Sequence, residues 1–450
     1  MDSLAAWIAT HRASLRADYF EFLRFRSIST EPAFKEEVVA CAAWVQRYLV
    51  ASGLRAELIQ TPVHPVVYAE DCTAGADKPT VLIYGHYDVQ PVDPLELWKS
   101  DPFEPTERDG NVYARGAVDD KGQIFFAMAA VRMLKTFGPL PINVKFCIEG
   151  EEEASSKGLL AILPKETARL KAEHLIVVDY DSFDAKTPAI NLGARGMLSM
   201  DVSLTGSRGD LHSGLHGGIA YNPNRALVEL LAKLYDAQGR VAVDGFYDDV
   251  LEPSAEEKKL YPPRVSRAEY TSRFGIEAFG GEAGKTLQEA NIFRPVLEIN
   301  GISGGYTGNG FKTVIPAKAI AKLSCRLVPS QNPEKIGRQI ISFLQRHCVP
   351  GMRLEVALYP GAPAYRAKPH SRVASAVASA SEEVMGRPCE RVLSGASVPV
   401  VAPLSTAIGA EVVGMGYGLP TDQIHAPNEH FDLKRLEYGL LTVAKALQRL

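Results

Sequence analysis

The chain reads as an α/β protein: a domain built on a mostly parallel sheet, interrupted by a smaller α+β insertion. Three observations predict this. Between about residues 80 and 180, short apolar runs rich in β-branched residues alternate with helix-like sequence, the signature of a parallel α/β layer. After about residue 195 the strand-like segments partly alternate apolar and polar positions, as half-exposed strands do. At 450 residues the chain is also too long for one simple core, so two domains are the default.

The stretch to about residue 52 is largely helical. Val38, Ala42, Val45 and Leu49 recur at helical spacing, with Cys41 and Tyr48 on the same face, and Gly53 is placed to end the helix. Thr80 to Gly85 is an apolar run stopped by His86 and reads as a buried strand. Gly122 to Leu134 is apolar, rich in Ala and Met, and reads as a helix. Ile142 to Ile148 is a second strand, ending at Glu149-Gly150, and Leu175 to Val178 is a third, ending at Asp179. Met197 to Leu204 is a half-exposed strand, and Asn224 to Ala237 is helix-like with Leu227, Leu230, Leu231 and Leu234 on one face. A long charged segment, Glu252 to Glu282, follows. Pro295 to Ile299 and Ala319 to Leu327 are strand-like, and Pro333 to Cys348 is helical, which suggests an α+β domain with a four-stranded sheet. Val373 to Val384 resumes a helix, and two apolar segments lead to His425. The late position of His425 implies that the α/β domain closes after the insertion. The expected domains are therefore residues 1–195 with 366–450, and residues 196–365.

Bulk composition narrows the classes. Hydrophobic residues make up 46%, the ordinary globular level, so neither disorder nor a membrane protein is indicated. A formal charge of −4 gives no reason to expect nucleic acid or an anionic membrane as partner. No apolar run reaches the roughly 18 residues that a membrane helix needs. The N-terminus carries an acid at Asp2 and polar residues from His11 onward, without the basic start and long apolar stretch of a secretory signal. The six cysteines are scattered, with no C-x-x-C pair, so neither a zinc knuckle nor a disulfide framework is expected. Cys41, Cys147 and Cys325 lie in apolar runs as small core residues. A reduced, cytoplasmic setting fits best.

Against this plain background, five segments supply acid and imidazole groups: His86-Tyr87-Asp88, Asp119-Asp120, Glu152-Glu153, Asp179 and His425. Any one of them alone is ordinarily structural. Together, two imidazoles and three or four carboxylates make a ligand set for two divalent metals. His86, the Glu152-Glu153 pair and Asp179 all follow strand ends, and in parallel sheets ligands sit beyond the carboxyl ends of the strands. Asp88 is placed to orient the His86 imidazole, as metal-bound histidines usually require. Of the adjacent acids Glu152 and Glu153, one can bind metal while the other takes a proton from water.

The segments His86-x-Asp88, Ala114 to Gly122 (ARGAVDDKG), Glu149 to Glu153 (EGEEE) and His425 to Glu429 (HAPNE) resemble, in order, the motifs of one family. It is the co-catalytic zinc peptidase family of cytosolic non-specific dipeptidase, carnosinase, acetylornithine deacetylase and succinyl-diaminopimelate desuccinylase. The resemblance runs from about residue 80 to 430. It implies that His86 and Asp179 bind one metal, Glu153 and His425 the other, and that Asp119 bridges. It further implies that Asp88 supports His86, that Glu152 is the general base, and that the Asp119-Asp120 peptide is cis. Asp181 competes with Asp179, but Asp179 directly follows the strand and better matches the family spacing to Pro188. His430 competes with His425, but only His425 opens the H-x-x-N-E pattern. Asp119 is preferred over Asp120 for the same kind of reason.

The insertion carries further likenesses. Asp210 to Gly218 resembles the lid motif of the dipeptidase branch, where a histidine from the partner subunit steadies the oxyanion. Here that histidine is His212, which implies a lid and dimerisation role for the insertion and a homodimer. Lys312 to Pro316, with Thr313, and Ser324 to Pro329 resemble lid segments. Arg326 is a candidate for the free carboxyl terminus of a short peptide, because a guanidinium grips a carboxylate bidentately. Gly395 to Pro399, with Ser397, resembles the G-G-S-I-P substrate loop and departs from it at Ala396 and Val398. The expected function is metal-dependent hydrolysis of dipeptides or short peptides by a cytoplasmic metallopeptidase. Zinc is the expected metal, and manganese or cobalt can share such ligands. An N-acyl-amino-acid deacylase is the alternative of the same class, and a non-catalytic peptide-binding dimer the alternative of another.

Overall fold

Four strands run parallel through one sheet and point their carboxyl ends the same way. In a computed structural model, which describes residues 3–262, 265–278 and 280–450, the chain forms two compact units. Met1 and Asp2, part of the N-terminal segment read above, and Pro263, Arg264 and Phe279 of the charged segment lie outside the described residues. The first unit comprises Met1–Gly193, Ala367–Val392 and Val400–Leu450; the second comprises Ala194–Arg366 and Leu393–Pro399.

The first unit opens with helices α1 (Ser3–Leu23) and α2 (Lys35–Ala51). Strands β1 (Arg55–Ile59), β2 (Val66–Asp71) and β3 (Thr80–His86) follow, then helix α3 (Lys121–Phe137), strand β4 (Asn143–Glu149), helix α4 (Lys157–Leu170) and strands β5 (His174–Val177) and β6 (Ala189–Ala194). After the second unit come helix α5 (Arg372–Met385), strand β7 (Glu411–Met415) and helix α6 (Leu433–Arg449). Their order in the sheet is β1-β2-β4-β3-β5-β7-β6. The central β4, β3, β5 and β7 are mutually parallel, and β2 and β6 join them antiparallel. Residues Val81 to His86 are all buried, as a strand covered on both faces requires.

Helix α3 is apolar on nearly every face because it lies in the interior, packed against α1, α6 and β3. Its Lys121 is fully buried; Nζ donates to Phe25 O at 2.6 Å and sits over the Phe22 ring. At Gly122 a side chain is excluded, since a Cβ would lie 2.0 Å from Ala117 O. A separate three-stranded ladder pairs Thr106–Arg108 with Asn111–Tyr113 and the latter with His430–Asp432.

The second unit is an α+β fold. Its antiparallel sheet runs in the order Val296–Gly304, Lys318–Leu327, Gly196–Thr205, Arg353–Leu358. Ala319, Ala321, Leu323, Cys325 and Leu327 alternate into the core, and helices Pro223–Ala232 and Pro333–His347 cover that face with Leu227, Leu230, Ile336, Ile340 and Phe343. Residues 393–399 cluster with this unit rather than with the 366–450 flank in which the sequence placed them. The physical reason is local: Gly395 O accepts from Arg195 Nε at 2.9 Å and Ser397 Oγ accepts from Arg326 Nη1 at 2.8 Å. All six cysteines are free, with Cys41, Cys147 and Cys325 buried.

Candidate metal centre

The parallel strands explain why distant residues meet. His86 ends β3, Glu152 and Glu153 form the short 3₁₀ turn after β4, and Asp179 lies two residues beyond β5. Because these strands are parallel, all of these side chains gather at one edge of the sheet. Asp119 and Asp120 sit just before α3, joined by a cis peptide. His425 comes from the loop between β7 and the ladder strand His430–Asp432.

The ligating atoms form two groups, each with its atoms within 4.8 Å of one another: His86, Asp119 and Asp179, and Asp119, Glu153 and His425. Asp119 belongs to both. Its Oδ1 lies 3.2 Å from His86 Nε2 and its Oδ2 lies 2.8 Å from His425 Nε2. His86 Nε2 is 3.9 Å from Asp179 Oδ2, and His425 Nε2 is 3.3 Å from Glu153 Oε1. The competing residues are elsewhere. Asp120 turns its Oδ2 to the His86 backbone N–H at 3.0 Å, and Asp181 joins neither group. His430 stacks on Tyr113 and its Nδ1 contacts Asn428 O.

Asp88 is fully buried and does more than face His86. His86 Nδ1 lies 3.1 Å from Asp88 O and 3.3 Å from Asp88 Oδ1. The same carboxylate accepts the backbone N–H groups of Glu152 and Glu153, each at 3.2 Å, and the Ser29 hydroxyl at 2.6 Å. Gln90 Nε2 donates to Glu153 Oε2 at 2.7 Å, which leaves Glu153 Oε1 toward His425. Glu429 is also fully buried and holds the Asp119 loop. It accepts from Arg115 Nη1 (2.7 Å), Gly116 N (3.0 Å), Val118 N (3.0 Å) and Asp119 N (3.2 Å). Sequence reasoning missed Ser29, Gln90 and the role of Arg115. Each is an ordinary polar residue in its own segment, and only the folded chain supplies its partner.

The electrostatics are those of crowded negative charge. Burial pushes the Glu152 carboxyl well above its usual range, and Asp179, Glu153 and Glu149 add to this against the opposing field of His86. Burial pushes Asp179 up to about 7. Burial alone would lower the His86 imidazole, but the Asp119 and Asp88 carboxylates hold it well above its usual range. Asp119 and Glu153 hold His425 up at about 10. His86 Nε2 and Glu153 Oε1 are buried and lie near oppositely charged groups, yet neither has a partner in hydrogen-bonding geometry among the described residues. Buried polar atoms are rarely left so. Both belong to the two groups, and a donor set of two imidazoles and three carboxylates suits a pair of divalent cations.

The residues expected to handle substrate lie in the second unit, in two places. Leu211–His212 pairs antiparallel with Val314–Ile315, which brings His212 beside Thr313; Ser213 N donates to Thr313 O at 3.0 Å. His212 is exposed, and its Nδ1 accepts from Gly214 N at 3.0 Å. Arg326, Gly395 and Ser397 meet around Arg195, whose backbone carbonyl accepts the Ser397 hydroxyl. At Gly395 a Cβ would lie 1.9 Å from Asn291 Oδ1, so a side chain there would require Asn291 to move. Among the described residues Arg326 pairs with no carboxylate, while burial lowers its pKa.

The sequence pattern of peptidase family M20/M25/M40 matches residues 82–449. The Beta-Ala-His dipeptidase of Homo sapiens is 30% identical over 453 residues, covering 95% of this chain and 88% of that protein. The Cys-Gly metallodipeptidase dug1 of Schizosaccharomyces pombe is 29% identical over 440 residues, covering 92% of this chain and 90% of its own. Among solved structures, the M20 family metallo-carboxypeptidase Sso-CP2 from Sulfolobus solfataricus superposes with a TM-score of 0.87 at 32% identity, covering 96% of this chain and 98% of that one. Human carnosine dipeptidase 1 superposes with a TM-score of 0.83 at 29% identity, covering 100% and 98%.

Proposed function

The chain belongs to peptidase family M20/M25/M40, and from that premise we propose that this metallopeptidase cleaves dipeptides or similarly short peptides with a free carboxyl terminus. The observation that carries the reading is the shared Asp119, whose two oxygens face two different imidazoles. His86 and Asp179 would hold one ion and Glu153 and His425 the other, with Asp119 common to both groups. Zinc is the first choice for such ligands, with manganese and cobalt able to take the same set. Two such ions, when bound, polarise the scissile carbonyl and lower the pKa of water.

The rest falls to the chain. Glu152 takes the proton of the attacking water and passes it to the leaving amine. A raised carboxyl pKa suits that work, because a general base is most effective when its pKa lies near the working pH. Asp88 fixes the backbone of Glu152 and Glu153 and the orientation of His86. His212 donates to the developing oxyanion from the partner subunit of a homodimer. Its Nδ1 accepts from Gly214 N, so the neutral ring carries its proton on Nε2, the donor this role needs. Arg326, positioned by Ser397, takes the substrate carboxylate, with Thr313 and Gly395 shaping the surround.

The names of the relatives support short peptides: two are dipeptidases, for Beta-Ala-His and Cys-Gly, and one is a metallo-carboxypeptidase. The test is a panel of dipeptides beside acetyl- and succinyl-amino acids, run on metal-reconstituted protein. Faster turnover of dipeptides is expected. Preference for the acyl-amino acids would make the protein a deacylase instead.

A further inference from the structure

Asp119 and His425 must be held at one separation for a single carboxylate to face both imidazoles, yet they lie far apart in the chain. Glu429 stands between their two segments. It lies four residues after His425, and its side chain is buried against the loop 114–119, with the Arg115 and Glu429 side chains each 1% exposed. One oxygen, Oε2, accepts from Arg115 Nη1 and Gly116 N, and the other, Oε1, accepts from Val118 N and Asp119 N. The Glu429 backbone carbonyl adds a bond from Ala114 N at 3.2 Å. A carboxylate offers about four acceptor sites, so these four donors saturate it.

Both sides of the junction are anchored in turn. Arg115 donates its Nη2 to Pro91 O at 2.9 Å and lies over the Trp98 ring. On the His425 side, Asn428 accepts from Lys99 N at 2.9 Å and donates to Leu97 O at 2.8 Å. His430–Asp432 then pairs with Asn111–Tyr113. His425 itself keeps half of its side chain exposed, so it gains little from packing, and its place depends on what its neighbours hold.

We propose that Glu429 is a positioning residue of the metal centre: its carboxylate ties the Asp119 loop to the His425 segment and thereby sets the distance between a shared ligand and one of its partners. Arg115 is the charged half of the same tie, although 314 residues separate the two in sequence. Glu429 itself belongs to neither ligand group. Asp88 is a second carboxylate outside the two ligand groups, and it joins His86 of one group to Glu153 of the other and to Glu152. The consequence is selective. Loss of the Glu429 tie weakens the ion shared by Asp119, Glu153 and His425 and leaves the His86 and Asp179 side less affected.

This inference rests on the two-metal reading, and the test separates them. Full-length protein is stripped with a chelator and titrated with zinc in competition with a chromogenic chelator. Wild type should take up two ions; uptake of fewer overturns the two-metal reading and the inference with it. The Glu429→Gln variant replaces an acceptor oxygen by an NH₂ facing N–H donors. It should bind one ion much as wild type does and the other about 10–100-fold more weakly, the usual cost of removing a partner behind the ligands. Two unchanged affinities in folded Glu429→Gln protein overturn the inference alone. If that variant does not fold, Arg115→Lys removes the fork and keeps the charge. A weakened second ion in the folded Arg115→Lys protein supports the tie, and an unchanged one overturns it. Asp71→Asn is the control, because Asp71 is a buried carboxylate paired with Lys135 that contacts neither loop. It should lower Tm and leave zinc affinity alone; an equal loss of affinity there would reduce the Glu429 effect to general stability and overturn the proposal.

Discussion

The carboxylate of Asp88 accepts the backbone N–H of Glu152 at 3.2 Å, so the acid behind the histidine also fixes the proposed base. One buried group thus couples the orientation of His86 to the placement of Glu152 and Glu153. Asp88→Asn keeps the shape but turns an NH₂ toward one of those donors. We expect kcat to fall about 10–100-fold, the range found when a partner of a metal ligand is removed. Steady-state kinetics should show the loss in kcat more than in KM.

Glu152→Ala removes the base and leaves every member of the two ligand groups in place. Turnover should fall by about 10²–10⁴-fold, the usual contribution of a positioned general base. Metal content, measured by inductively coupled plasma mass spectrometry, should remain near wild type. Loss of both ions in this variant would mean that base and ligand have been exchanged.

Chelation should abolish hydrolysis and lower Tm together. The apo site carries raised carboxyls and a raised imidazole at His425, so a cation that relieves this crowding stabilises the native state. At metal concentrations about 100 times Kd, linkage gives about 2.7 kcal/mol of added stability. Differential scanning fluorimetry with and without zinc reads this directly, and equal Tm values would argue against native-state metal binding.

Arg326→Ala should raise KM for dipeptides about 10–100-fold, as expected for a lost charge-assisted hydrogen bond to a carboxylate. Peptides amidated at the carboxyl terminus lack the charge, so they should be poor substrates of wild type and nearly indifferent to the substitution. Equal losses on free and amidated peptides would remove Arg326 from carboxylate recognition.

A trans role for His212 can be read by mixing. Glu152→Ala and His212→Ala proteins are each expected to be nearly inactive. Unfolded together and refolded, they should recover about a quarter of wild-type activity, because half of the random dimers are mixed and each has one complete site. No recovery, or full activity in a monomer, would argue against a trans role for His212.

Much of this was legible in the sequence, and the exceptions have physical reasons. Strands β3, β4 and β5 could be read because strands buried on both faces are near-continuous apolar runs. The edge strand β1 escaped, since it alternates with mostly exposed positions. The three-residue strands Thr106–Arg108 and Asn111–Tyr113 are too short to carry a period. Within the charged segment, helices Ala255–Leu260 and Arg267–Phe274 begin with capping boxes at Ser254/Glu257 and Ser266/Glu269, a start signal carried by the Ser-x-x-Glu spacing itself.

By itself the sequence determined the local elements and the chemistry of the site, because periodicity and residue type act over a few neighbouring positions. Its acid and imidazole segments pointed to a two-metal site, and the resemblance to the co-catalytic zinc peptidases implied His86, Asp119, Glu153, Asp179 and His425 as its donors. What only the tertiary structure decided is which long-range contacts hold them: Asp88 reaching the turn at Glu152, Gln90 reaching Glu153, and Glu429 reaching back to Arg115 and Asp119. Hydrogen bonds are satisfied in space, and these partners come from segments that meet only once the parallel strands align their carboxyl ends.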